Sequence, residues 1–303
     1  MQKTTIDWLT FRTKAEPEQA LEALKPLYGA AATLLSLKAL QRGAMGFQQA
    51  AAVVLGDMPV ARIDFGGESQ RGWSRVAMTG KGCEWVQDWT AMQSIEDLPA
   101  SEIRRLDIAL TTWNGQVSHD SVVLAHSLGK FGTGGRNPDL QQITSSNPIA
   151  GKTCYIGNRK SDRFLRAYEK GYEMNAKAGG NLTHIDGHKI EDIYRTELEL
   201  KASGTDLPWS LIERRDEYFS GAYPFCAELL PGVDADVLQR RPDREPQTDL
   251  AAALSNIKKQ YGATIFTALH AYQGDITTVW DKIIGTQHSV PLLEAGVLLV
   301  QHD

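Results

Sequence analysis

The chain has 303 residues, of which 42% are hydrophobic and 23% are charged, and its formal net charge is −5. This length predicts two or three domains, and the apolar content is sufficient for a hydrophobic core. The net negative charge excludes a protein that binds nucleic acid through its whole surface, but it allows a local basic site.

The sequence predicts a cytoplasmic protein without a membrane segment. Residues Met1–Asp7 lack the apolar core of a signal peptide. The most apolar stretches, residues 29–37 and 50–55, are much shorter than the roughly 20 residues that span a bilayer. The three cysteines include no CxxC pair, which is typical of reduced thiols.

Short strands and helices are predicted to alternate in the first half. The run Thr4–Arg12 is rich in β-branched and aromatic residues, which predicts a strand. Apolar residues recur at helical spacing within Glu16–Gln41, which predicts one long helix. The segments Ala61–Phe65 and Trp73–Met78 flank a glycine-rich turn and are predicted to pair as a hairpin, and a short helix is predicted at Cys83–Gln93.

The second half repeats this order of elements. A strand is predicted at Ile103–Thr112, followed by a helix at Ser118–Leu128 that Ser118 can cap. Two strands, Cys154–Gly157 and Arg163–Glu169, are predicted to form a hairpin across a polar turn. The alternating run Asp192–Lys201 predicts a further strand.

The repeated order predicts an α+β fold of duplicated ferredoxin-like, or split βαβ (RRM-like), units with antiparallel sheets, followed by a helical C-terminal region. The two opening strands also look alike, with Ile6-Asp7-Trp8 in one and Leu106-Asp107-Ile108 in the other. Four more helices and a charged, proline-containing linker are predicted after Lys201. Their ranges are 209–219, 248–271, 276–284 and 291–300 for the helices and 240–247 for the linker. The predicted regions are 1–100, 101–204 and 205–303.

The predicted second-half hairpin is unusually basic. Six basic and two acidic residues lie between Lys152 and Lys170. Strand alternation places Phe164, Arg166, Tyr168 and Lys170 on one face. A tyrosine between two cations predicts a phosphate-binding face with a lowered phenol pKa. The alternative is a solvated hairpin edge whose cations discourage aggregation.

Carboxylates form a second pattern. Glu197 and Glu199 lie two residues apart on one strand face, about 7 Å from each other. Asp107 lies on the polar face of the strand predicted at Ile103–Thr112. The three carboxylates could converge on a divalent ion if their strands are neighbours. The alternative is a ladder of salt bridges, for which Arg195 and Lys201 are available.

Three motifs in order resemble the replication initiation factor family of rolling-circle plasmids and filamentous phages. The first motif is Arg105-Leu106-Asp107, the second is the run TCYIGNRKSDRFLRAYEK at residues 153–170, and the third is Arg195–Lys201. The resemblance covers residues 104 to about 201, is looser over the first hundred residues, and does not extend to the last hundred.

The resemblance implies an endonuclease that nicks one DNA strand at a replication origin. It implies that Tyr168 is the nucleophile and that Arg166 assists it. It also implies metal ligation by Asp107, Glu197 and Glu199, with the choice between the two glutamates left open. The sequence lacks the His-hydrophobic-His motif of other tyrosine-dependent nicking enzymes, so carboxylate ligands favour Mg²⁺ or Mn²⁺. The predicted DNA-binding residues are Arg105, Arg159, Lys160, Arg163 and Lys170.

The resulting hypothesis is metal-assisted transesterification through Tyr168, which leaves a 5′-phosphotyrosine link and a free 3′-OH primer. The expected partners are origin DNA, single-stranded or extruded as a hairpin, and a host helicase and polymerase. The oligomeric state stays open, a homodimer included. One alternative is a non-catalytic, sequence-specific DNA-binding regulator, and another is an interaction protein whose carboxylates only form salt bridges.

Overall fold

The computed structural model describes residues 3–239 and 250–294. These residues fall into two compact units, divided after residue 240. The predicted linker at 240–247 and the end of the last predicted helix lie outside the described residues. The predicted division into three regions stays a prediction.

The first unit contains a sheet of ten strands with the order β2-β3-β4-β5-β1-β6-β12-β9-β8-β7. Two more strands, β10 and β11, pair only with each other. In chain order the strands are β1 (Thr5–Thr13), β2 (Leu35–Leu40), β3 (Gln49–Leu55), β4 (Met58–Phe65), β5 (Ser74–Met78), β6 (Glu102–Thr112), β7 (Leu140–Ile143), β8 (Thr153–Ile156), β9 (Arg163–Tyr168), β10 (His184–Ile185), β11 (His188–Lys189) and β12 (Tyr194–Lys201).

The large antiparallel sheet with its helices confirms the α+β class. Each half contributes five strands, and in each half the last strand lies beside the first. The halves meet where β1 pairs with β6. The ferredoxin-like detail is not confirmed, because the described pairs of this sheet are antiparallel, whereas a split βαβ unit contains parallel strands.

Eight short α-helices belong to the first unit. They are α1 (Pro17–Leu24), α2 (Gly80–Glu84), α3 (Gln93–Glu96), α4 (His119–Ser127), α5 (Lys170–Lys177), α6 (Ser210–Glu213), α7 (Arg215–Ser220) and α8 (Pro224–Leu229). The 3₁₀ segments are Lys25–Leu34, Glu68–Gln70, Trp89–Met92, Pro148–Ala150 and Ile190–Asp192. The short helix predicted at Cys83–Gln93 is therefore a stretch that begins inside α2 and reaches α3.

The long helix predicted at Glu16–Gln41 is wrong beyond Leu24. Pro26 lacks an amide hydrogen and cannot continue the α-helical bonding pattern. Gly29 then adopts a left-handed φ of 51°, which breaks the helical course. Residues 35–40 form β2, which pairs with β3 along its whole length. Strand pairing thus overrides a helical spacing of apolar residues.

Most other predicted elements are confirmed. The hairpin of the first half is β4 and β5, and the basic hairpin of the second half is β8 and β9. Ser118 caps α4, since its hydroxyl accepts a hydrogen bond from the Ser121 amide at 3.2 Å. The three cysteines, Cys83, Cys154 and Cys226, are buried free thiols.

Strand alternation gives the second half of the sheet two different faces. One face packs into the core through Leu106, Ile108, Leu165, Leu198 and Leu200, which are all at most 3% exposed. The opposite face of the same three strands, β6, β9 and β12, carries charged and aromatic side chains. The sheet therefore supplies a rigid support for a polar site.

The described residues of the second unit form helices at positions where the sequence predicts helices. Its described helices are α9 (Leu250–Ala271), α10 (Ile276–Ile283) and α11 (Val290–Glu294). Asp275 caps α10 by accepting hydrogen bonds from the amides of Thr277 and Thr278. Across residues 3–239 and 250–294, no helix combines the length and the apolar character that a membrane crossing requires.

Candidate active site

The candidate site lies on three adjacent strands. Glu199 of β12 is the register partner of Asp107 on β6, and Glu197 is the register partner of Arg166 on β9. Tyr168 lies at the end of β9, opposite Arg195. These side chains leave the same face of the sheet, because their three strands are neighbours. The convergence of Asp107, Glu197 and Glu199 on one divalent ion stays a prediction.

Glu197 links the predicted nucleophile to the predicted arginine. The Tyr168 hydroxyl donates a hydrogen bond to Glu197 Oε1 at 2.7 Å. Arg166 donates to the other oxygen, Oε2, through Nε at 2.9 Å and through Nη2. Arg195 Nη1 lies 4.0 Å from Oε1. A buried carboxylate thus accepts a hydrogen bond from the phenol while cations stabilise its charge.

The structure corrects the expected pKa of Tyr168. Cationic neighbours led us to expect a lowered phenol pKa, but burial and the Glu197 carboxylate raise it. Arg166 and Lys170 lie over the ring, with Arg166 Cζ 4.7 Å and Lys170 Nζ 5.6 Å from its centroid. Both cations contact the face of the ring, whereas the hydroxyl itself is hydrogen-bonded to the Glu197 carboxylate. The negative charge of this carboxylate opposes ionisation of the phenol.

Arg105 holds the other two carboxylates. Its Nε and Nη2 donate to Asp107 Oδ1 at 2.8 Å and Oδ2 at 2.6 Å. The same Nη2 lies 3.0 Å from Glu199 Oε2, and Lys201 forms an ion pair with the other Glu199 oxygen. One cationic nitrogen therefore lies between the carboxylates of two neighbouring strands.

Negative charge is crowded at this position. Burial, together with the charges of Glu199 and Glu197, raises the pKa of Asp107 to about 6, against the opposing effect of Arg105. A carboxyl in such surroundings favours either a proton or an additional cation.

The carboxylate oxygens at this position are ligands that a hard divalent cation prefers. Asp107 and Glu199 supply carboxylate oxygens close to one nitrogen of Arg105, where a positive charge is already stabilised. Within the described residues, no three His, Cys, Asp or Glu side chains are grouped closely enough to hold one metal ion. Arg105 would have to release its carboxylates for a metal to bind there.

A cavity of about 230 Å³ opens on these groups, and it includes two residues that our sequence reasoning missed. Asp7 and Trp8 line it from β1, beside a register irregularity in the pairing with β6. Asp7 accepts a bond from Arg195 Nη1 at 2.9 Å. The likeness between the two opening strands was the signal that could have found Asp7.

The predicted DNA-binding residues do not share one environment. Arg159 and Lys160 lie exposed in the turn between β8 and β9, and Arg159 also lines the carboxylate cavity. Arg163 leaves the opposite face, donates to the Ala222 carbonyl and lies over the Tyr223 ring. Arg105 is held by carboxylates, and Lys170 Nζ pairs with Glu173 Oε2 at 2.9 Å.

Comparison with known proteins gives two findings. Residues 101–249 match the sequence profile described as replication initiation factor, a stretch that includes β6, β9 and β12. The fold is similar to the solved structure of a rolling circle replication initiator protein from Geobacillus stearothermophilus, with 22% identity and a TM-score of 0.53. That match covers 82% of this chain and 89% of the other. No curated protein matches the sequence.

The family region thus coincides with the half of the sheet that carries the carboxylates, Arg166 and Tyr168. The match of residues 101–249 identifies this part of the chain as similar to the replication initiation factor family.

Proposed function

We propose that the chain initiates rolling-circle replication by nicking one DNA strand, with Tyr168 as the nucleophile. The observation that carries this proposal is the hydrogen bond from the Tyr168 hydroxyl to Glu197, a residue that lines the cavity of carboxylates and arginines. The family match and the likeness to a rolling-circle initiator support it.

The reaction is an in-line transesterification. The Tyr168 oxygen attacks the phosphorus, a new Tyr–O–P bond forms, and the bond from phosphorus to the 3′ oxygen breaks. Glu197 takes the phenol proton, and the departing 3′ oxygen gains a proton from water. The products are a 5′-phosphotyrosine link and a free 3′-OH, which a host polymerase can extend after a host helicase opens the duplex.

Glu197 is needed because the surroundings disfavour a free tyrosinate. Burial raises the Tyr168 pKa, so few hydroxyl groups are ionised at neutral pH without a base. Glu197 lies within direct proton-transfer distance, and Arg166 keeps its second oxygen in place. We therefore assign Glu197 to proton transfer rather than to metal ligation.

Asp107 and Glu199 are the residues that would hold Mg²⁺ or Mn²⁺. When bound, such an ion neutralises charge on the non-bridging phosphate oxygens. Arg159, at the rim of the same cavity, is placed to contact the phosphate backbone.

We expect added Mn²⁺ to raise the thermal midpoint of the wild-type protein at pH 7. The increase should be smaller for Glu199→Gln, and an equal increase in both would remove Glu199 from the metal assignment.

The experiment is nicking of a supercoiled plasmid that carries the replicon encoding this chain, with Mg²⁺ or Mn²⁺ present. The proposal predicts one cleavage position on one strand, mapped by primer extension, and loss of cleavage in Tyr168→Phe. Tyr172→Phe is the matched control, because Tyr172 lies on α5, directly after β9, but lines neither the carboxylate cavity nor the cavity that Tyr168 lines. Sequence-specific binding without cleavage would instead support the DNA-binding regulator.

A further inference from the structure

A second cavity adjoins the candidate active site. It has a volume of about 580 Å³ and lies at the β8–β9 turn. Arg159 and Phe164 line both this cavity and the carboxylate cavity, so the two cavities share part of their walls. Tyr155 links the second cavity to a third of about 220 Å³, which Tyr168 lines. The second cavity therefore neighbours both the carboxylate cavity and the cavity that Tyr168 lines.

Aromatic rings and arginines form the walls of this second cavity. The rings of Tyr155 and Phe164 lie 5.5 Å apart, and Arg159 Cζ is 5.1 Å from each ring centroid. Arg163 lies over the Tyr223 ring on the other side, and Arg136 completes the basic lining. Stacked rings and guanidinium groups bind the flat face of a base and its neighbouring phosphate.

The local charge also matches a nucleotide. Three arginines and one aspartate, Asp139, are the charged residues of the lining, although the whole chain is acidic. Asp139 already pairs with Arg136 at 3.3 Å. The cavity volume is within the range of small-ligand sites, so one unstacked nucleotide can enter it.

We propose that this cavity binds one nucleobase of the single DNA strand next to the cleaved phosphate, with Tyr155 as the stacking residue and Arg159 on the adjacent phosphate. The inference rests on the proposed function and adds a base-binding subsite to it. A subsite of this kind fixes which phosphate reaches Tyr168, because the base and the phosphate move as one nucleotide.

The test measures binding without cleavage. Tyr168→Phe protein is titrated with labelled single-stranded oligonucleotides that carry the mapped cleavage site. A set of oligonucleotides has one abasic position each. We expect one position near the cleaved phosphate at which the missing base weakens binding at least about fivefold, as loss of one stacked base does. Adding Tyr155→Leu should abolish that difference while thermal unfolding stays cooperative.

Arg159→Ala should weaken binding of every oligonucleotide in the set by a similar factor, because phosphate contacts do not depend on the base. Arg214→Ala is the matched control, since Arg214 also lies over a tyrosine ring but does not line this cavity. Abasic effects that are equal in Tyr155→Leu and its parent would overturn the proposal. Wild-type cleavage together with such a result would leave the proposed function intact and remove only the subsite. If Tyr168→Phe still cleaves the DNA, the proposed function fails, and a Tyr155-dependent position would then support the subsite alone.

Discussion

Glu197 bonds to the hydroxyl of Tyr168 and to the guanidinium of Arg166 with its two different oxygens. This arrangement gives one carboxylate two separable effects. It raises the phenol pKa by its charge, and it receives the phenol proton when the oxygen attacks.

Glu197→Gln separates these effects. At neutral pH we expect the single-turnover cleavage rate to fall about 10²-fold or more, because an amide cannot act as the base. The remaining activity should increase with pH, because removal of the negative charge lowers the tyrosine pKa and lets it ionise more easily. Rates measured over a pH series test this, with exposed Glu191→Gln as the control. A variant with the wild-type rate and pH profile would remove Glu197 from proton transfer.

Asp107 has a predictable effect on stability. Its pKa is raised from 3.8 to about 6 by burial, so the folded protein holds the proton more tightly than the unfolded chain does. Stability is therefore lost as the pH rises from about 4 to about 6, by up to about 3 kcal/mol from this group. In Asp107→Asn this loss should be absent. Urea unfolding between pH 4 and pH 7 measures it, and parallel pH dependences in the two proteins would contradict it.

At the scale of elements, close packing holds α5 in place directly after β9. A Cβ added to Gly171 would lie 2.0 Å from the Ile190 carbonyl oxygen, which is backbone and cannot move aside cheaply. The first turn of α5 carries Lys170, which lies against the Tyr168 ring. Close packing of Gly171 against Ile190 therefore helps to hold Lys170 beside the nucleophile.

Gly171→Ala should destabilise the protein by at least about 2 kcal/mol, in the range of overpacking effects. Urea unfolding gives this value. Gly135→Ala is the control, because nothing lies within 4 Å of the corresponding Cβ and its φ is ordinary. Equal stabilities of the two variants would show that α5 does not pack tightly against the segment at Ile190.

Sequence patterns predicted elements best where the local signals agreed. Ser118 predicted the start of α4, and clean alternation predicted β12, because a cap and a period of two are both local properties. The patterns failed at residues 35–40, where pairing with a distant strand decides the structure. The five-stranded units were also missed, since β2 was assigned to a helix and neither β3 nor β7 was predicted as a strand.

For the site residues, too, local patterns were predicted correctly and contacts between distant strands were not. Alternation alone placed Asp107, Glu197 and Glu199 on shared faces, and pairing of the strands brought them together. The bond from Tyr168 to Glu197 could not be predicted, because it depends on the register between β9 and β12. Arg163 was grouped with the other cations by charge, whereas it leaves the opposite face and contacts Ala222.

For the whole molecule, the net charge of −5 averages over a basic hairpin and a crowded acidic site. Several of the hairpin cations are already bound within the protein, which leaves Arg159 and Lys160 exposed at the turn. Non-specific DNA binding should therefore be weak, and few phosphates should be neutralised.

This charge distribution predicts a shallow salt dependence. The logarithm of the single-strand binding constant should fall with the logarithm of salt concentration, by about 0.7 for each neutralised phosphate. Lys160→Ala should reduce the slope by about that amount. Lys38→Ala should leave it unchanged, because Lys38 lies exposed on β2 at the far edge of the sheet. Fluorescence anisotropy at several salt concentrations measures both slopes, and equal slopes in the two variants would contradict the assignment of Lys160.

Covalent capture tests the central claim most directly. The protein is incubated with a single-stranded oligonucleotide that contains the mapped cleavage site and with Mn²⁺, then digested and analysed by mass spectrometry. Our account predicts a nucleotide attached to Tyr168, an adduct that persists in Tyr172→Phe, and no adduct in Tyr168→Phe. An adduct on another residue, or one that still forms in Tyr168→Phe, would contradict it.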